Sequence, residues 1–237
     1  MILTQVERVT VSRLTAYLVL AIFPLAFFLG FSFNPIQFSW AFHHGLERMP
    51  VGVRDRAAAA TYWCSFLTDA LTVGCIALLM LRNSVAIARV GLHLKEWAAN
   101  AALGVVAAIL LILSQLIVAR LIPTGPGTFA HAAKRSSVLL SAFVFLAGAF
   151  SEELWIAFCL VALRSTGHSS SVSVAVTAIV FGAVHYQYGF GGASAIALKG
   201  ALSALLFLWS GSLLAPFTYH FIGNLGSFYR ARGVPDA

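Results

Sequence analysis

Seven stretches of this chain stay apolar for about the length of a membrane crossing, and that constrains the fold more than any other feature. A helix needs roughly 20 predominantly apolar residues to cross the hydrocarbon core. The runs at about 14–32, 57–81, 98–121, 137–163, 170–188, 193–209 and 212–229 are of that order. The expected fold is an all-α polytopic membrane protein, a bundle of about seven transmembrane helices forming a single integral membrane domain. Residues 1–136 supply N-terminal helices and loops, and 137–230 form a second helical core. The first run follows a charged lead and resembles a signal peptide in outline. Its apolar part is long and no clear small-x-small site follows, so a spanning helix is expected.

Composition supports this reading. Of the 237 residues, 60% are hydrophobic and 10% charged, against about 25% charged in soluble domains. The net charge of +7 does not point to nucleic acid. The basic residues lie between apolar runs, where the partner is the lipid bilayer and its anionic headgroups. They divide six to eight between the two faces of a seven-span topology, so charge does not assign an orientation. Cys64, Cys75 and Cys159 all sit in apolar runs and read as packing residues. "PTGPGTF" at 123–129 and "GFGG" at 189–192 read as breaks, and 82–96 as a basic loop. "SGS" at 210–212 implies a tight turn between the last two runs. Trp155 and Trp209 read as lipid-facing or interfacial aromatics. His43 and His44 read as loop residues.

The polar residues within the spans are the informative ones. An ionised side chain at mid-membrane costs about 2.5–3.5 kcal/mol on insertion scales. Three of the eight acids, Asp69, Glu152 and Glu153, fall inside spans, with His185, His220 and Asn224 in the later ones. Asp69 stands alone and reads as a structural pairing. His220 and Asn224 are four apart and share a helix face, as do Phe181 and His185. Phe181 reads as packing beneath His185, which is also placed to cap its helix. Glu152 and Glu153 project about 100° apart. Two adjacent carboxylates in a low dielectric do not readily both ionise. A carboxyl beside imidazoles is a candidate acid/base pair.

In "SEELWIAF", "FGAVH" and "GSLLAPFTYHFIGN" the chain resembles the CAAX protease and bacteriocin-processing family of intramembrane proteases. That family includes type II CAAX prenyl endopeptidases and myxosortases. Its pattern is Glu-Glu-x-x-x-Arg, then Phe-x-x-x-His, then His-x-x-x-Asn, and the resemblance covers about 140–230. It implies a glutamic-type endopeptidase, with 137–230 as the catalytic core. Glu152 would be the general base and His185 would hold a water. His220 and Asn224 would be oxyanion donors, with Glu153 supporting. No serine or cysteine nucleophile is needed, and Ser151, Ser210 and Ser212 read as packing or turn residues. The implied partner is a membrane-anchored or lipidated protein cut near its C-terminus, and the implied location is a bacterial inner membrane. No cofactor is expected. Zinc on Glu152, His185 and His220 is the alternative, although a His-Glu-x-x-His pair is lacking.

One position departs from the pattern. Where the motif arginine would fall stands Ala157. Arg164 lies roughly 16 Å along the helix from Glu153, too far to replace it. Lys199 from another helix is one substitute, and a neutral Glu153 is the other. Two further readings compete with a protease. A proton-coupled transporter would show inverted repeats and broken helices, which the sequence lacks. A non-catalytic immunity or scaffold protein has only the missing arginine in its favour.

Overall fold

The computed structural model describes residues 11–32, 51–121 and 137–233. The expected loop at 123–129 and His43 and His44 lie outside them. The chain forms seven α-helices: α1 (Arg13–Ser32), α2 (Val51–Arg82), α3 (Trp97–Leu121), α4 (Val138–Ser165), α5 (Ser170–Val184), α6 (Gly189–Ser210) and α7 (Leu214–Gly233). Short 3-10 turns occupy Ile87–Val90 and Tyr186–Tyr188. No strand occurs among the described residues. α1, α2, α3, α4 and α6 are long and apolar enough to cross a membrane. Together they make this an integral membrane protein. α5 is apolar but has 15 residues, and α7 is diluted by polar side chains along its 20 residues.

The bundle is built around α4. From Glu153 to Leu163 every residue of this helix is buried. A helix that is apolar on all sides belongs in a core rather than at a boundary. α1, α2, α5, α6 and α7 pack around it, and α7 lies mainly against α3. Ser137 caps the start of α4 by accepting from the Leu140 N–H (3.1 Å). Ser169 caps α5 in the same way, accepting from the Val172 N–H. Such caps satisfy backbone donors that a helix start leaves open.

Close helix approaches rest on small residues, as membrane bundles require. A Cβ added to Gly182 of α5 would fall 2.5 Å from the Ala197 Cβ of α6. One added to Gly104 of α3 would fall 2.4 Å from the Ala215 carbonyl of α7.

Trp155 departs from expectation. It is fully buried, and its indole N–H donates to the Val19 carbonyl of α1 (2.7 Å). Its ring lies 5.3 Å from that of Phe23. Trp155 lies in the stretch from Glu153 to Leu163, where the helix is buried on every side and has no lipid face. Trp209, in contrast, is 70% exposed on the apolar α6. The break expected at 189–192 also lies elsewhere. The chain turns through Tyr186–Tyr188, and the glycines begin α6. Gly189, at φ +72°, adopts the backbone conformation that starts it. The segment 82–96 is a packed loop. Val90 is fully buried, and the Gly91 carbonyl accepts from the Leu213 N–H (3.0 Å). This ties the α2–α3 connection to the tight α6–α7 turn.

The short α5 has a positional consequence. Glu152 lies 13 residues before the end of α4, about 20 Å of helix rise. α5 runs back from that end over 15 residues, about 22 Å. His185, its C-cap, therefore arrives near the depth of the acid pair.

Candidate active site

Four helices, α4 to α7, bring the site together. Glu153 projects from the middle of α4 and is 1% exposed. One of its oxygens, Oε1, meets Nδ1 of His220 from α7 at 2.7 Å. The other, Oε2, accepts from the Ser203 hydroxyl of α6. Both oxygens of a carboxylate buried in the bundle are thus satisfied by side chains from other helices. The opposite ring nitrogen of His220, Nε2, points to Glu152 Oε2 at 3.4 Å. The imidazole therefore stands between the two acids, held tightly by one and loosely by the other. Glu152 is the more open of the two acids, with its side chain 18% exposed against 1% for Glu153.

The fixing of His185 is different. Its Nδ1 lies 2.8 Å from the Phe181 carbonyl one turn back on α5. A carbonyl only accepts, so Nδ1 carries the proton. In the neutral ring, Nε2 is then an acceptor. The Phe181 ring lies edge-on to His185 at 4.9 Å and to His220 at 6.3 Å. This one aromatic seats both imidazoles. Phe23 and Phe27 of α1 close the outer side of His185.

The structure thus gathers Glu152, Glu153, His220 and Asn224 into one cluster, with His185 packed on the same phenylalanine. Lys199 of α6, weighed above as a substitute for the missing arginine, also belongs to this cluster, as does Ser203, to which the sequence gives no role. Lys199 Nζ donates to Asn224 Oδ1 (2.9 Å). It is an electrostatic neighbour of Glu152, Glu153, His185 and His220. The signal for it was present: Lys199 is the lone charged residue in "GFGGASAIALKGALSALLFLWS", and Ser203 lies one turn on. Asp69 approaches from α2 and is an electrostatic neighbour of Glu152. Its Oδ1 accepts from the Ser151 hydroxyl (2.5 Å), which is the structural pairing expected of it. Among the described residues no group of three or more His, Cys, Asp or Glu side chains is placed to hold a metal ion.

Residues 134–226 match the family model of the type II CAAX prenyl endopeptidase Rce1-like proteins. The matched stretch contains α4, α5, α6 and most of α7, and so every residue of the cluster except Asp69. The chain is similar to that family over this stretch, which is less than half of its 237 residues. No curated protein and no solved structure matches the chain.

Proposed function

We propose that this protein is a glutamic-type intramembrane endopeptidase. It cuts a membrane-anchored or lipidated protein near its C-terminus with a water activated by Glu152, and it works in a bacterial inner membrane. The observation that carries the reading is the His220 imidazole suspended between Glu152 and Glu153. Two adjacent acids on one helix are thereby made unequal: Glu153 is saturated by hydrogen bonds, and Glu152 remains available.

Glu152 is the general base. It takes one proton from a water as the oxygen attacks the scissile carbonyl. The acceptor nitrogen of His185 takes the hydrogen bond of the water's other proton, which directs an oxygen lone pair at the carbonyl carbon. As the tetrahedral intermediate forms, negative charge moves to the carbonyl oxygen. Donors aimed at that charge are worth about 3–4 kcal/mol each in a water-poor site. Asn224 supplies one through its amide group. His220 supplies the other from Nε2 when its ring is doubly protonated, a state that Glu153 at Nδ1 stabilises. The proton on Glu152 then passes to the leaving amine. No metal takes part.

The test uses purified protein in proteoliposomes with a farnesyl-cysteine peptide carrying three residues beyond the cysteine. A peptide anchored by an apolar helix is run in parallel, both with and without the chelator 1,10-phenanthroline. Mass spectrometry is expected to show release of a C-terminal fragment from at least one peptide, unchanged by chelation. Absence of cleavage of both peptides would overturn the protease reading, and loss on chelation would overturn the metal-free one.

A further inference from the structure

Glu153 begins the fully buried stretch of α4, and α4 carries no cation beside the acid pair. Ala157, one turn after Glu153, is fully buried in the core. Positive charge reaches the site from α6, through Lys199.

We infer that Lys199 is the positioning residue of this site: it fixes which way the Asn224 amide faces and supplies the charge that balances the acid pair. The inference rests on the protease reading above.

A lysine ammonium donates and never accepts. Its 2.9 Å contact with Asn224 must therefore be to the amide oxygen, and this settles an orientation that an isolated asparagine leaves open. With Oδ1 held by Nζ, the NH2 end of Asn224 is the end turned away from the lysine. That is the end an oxyanion needs. Without Lys199, the amide can turn its oxygen to the reacting carbonyl, which would repel the developing charge. The backbone of α7 lies alongside the lysine stem. A Cβ added to Gly223, the residue before Asn224, would lie 4.0 Å from Lys199 Cε and 3.1 Å from Leu111. The lysine stem thus runs at ordinary packing distance from α7 at this residue. The same ammonium, placed by its bond to Asn224, interacts electrostatically with Glu152 and Glu153. A fixed cation beside two carboxylates offsets the charge that a low dielectric makes expensive.

Three substitutions separate the parts of this role. Lys199→Met removes donor and charge, Lys199→Gln keeps a donor without charge, and Lys199→Arg keeps both. In proteoliposomes with the farnesyl-cysteine peptide, Lys199→Met is expected to lower kcat by about 10²-fold, the effect of losing one oxyanion donor, with KM little changed. Lys199→Arg is expected to recover most of that loss, and Lys199→Gln to fall between. Asn224→Ala is expected to lower kcat similarly. The double variant Lys199→Met/Asn224→Ala should be no worse than either alone, because the two residues act as a unit. A Lys199→Met enzyme with wild-type kcat, or a double variant whose losses multiply, would overturn the inference. The same cycle read by thermal unfolding in detergent needs no substrate. Coupling between positions 199 and 224 is expected there, and independent shifts would refute the contact. Should no variant or wild type cleave either peptide while the unfolding cycle shows coupling, the protease reading fails and the Lys199–Asn224 contact stands.

Discussion

Asp69 and Glu152 are both carboxylic acids held inside the same helical bundle, close enough to interact, and their surroundings differ in kind. Asp69 takes a single donor, Ser151, and its second oxygen is buried with no hydrogen-bond partner among the described residues. Its contact joins α2 to α4. Glu152 belongs to a cluster drawn from α4, α6 and α7, in which its neighbour Glu153 is satisfied on both oxygens. A buried acid with one hydroxyl partner serves packing between two helices. In the proposed mechanism Glu152, held only loosely at 3.4 Å from His220 Nε2 beside a saturated Glu153, is the acid that takes a proton from water.

Four predictions probe that contrast. The largest effect is expected from Glu152→Gln, which keeps shape and removes basicity. kcat for the farnesyl-cysteine peptide should fall by about 10²–10⁴-fold, the range of general-base catalysis, with thermal unfolding close to wild type. Glu153→Ala comes next. It removes the acceptor for His220 and Ser203, so stability should fall by about 1–3 kcal/mol, measured by unfolding in detergent, together with much of the activity. An inactive but fully stable Glu153→Ala protein would show that Glu153 is a reactive acid rather than a support. Asp69→Asn keeps an acceptor for Ser151. It should change stability by roughly 1 kcal/mol and leave kcat within about threefold, which is under 1 kcal/mol of barrier. If Asp69→Asn silenced the protein, the contrast between the two acids would collapse. The smallest effects come from the tryptophans. Trp155→Phe loses the bond to Val19 and should cost about 1 kcal/mol, whereas Trp209→Phe should stay within about 0.5 kcal/mol.

Much of this was legible before any coordinates. The length of the apolar runs fixes the all-α membrane fold because lipid leaves the backbone no other partner. The spacing of His220 and Asn224 fixes their common face, and the acids stand out because a membrane tolerates few of them. What pattern alone does not reach is which helix neighbours which. Trp155 reads as interfacial by residue type, yet α1 covers it and gives its N–H a carbonyl. The glycines at 189–192 read as a break, yet the turn falls before them. Lys199 was visible as a lone charge, but its bond to Asn224 depends on α6 and α7 lying side by side. Helix faces follow from the period of a sequence, while contacts between helices follow from packing that no single stretch encodes.

The central claim is that Glu152, and not Asp69, readies the attacking water. Single-turnover cleavage of the farnesyl-cysteine peptide by wild type, Glu152→Gln and Asp69→Asn, in the same proteoliposomes, tests it most directly. The account predicts near-wild-type cleavage by Asp69→Asn and almost none by Glu152→Gln. Cleavage by Glu152→Gln at the wild-type rate would contradict it.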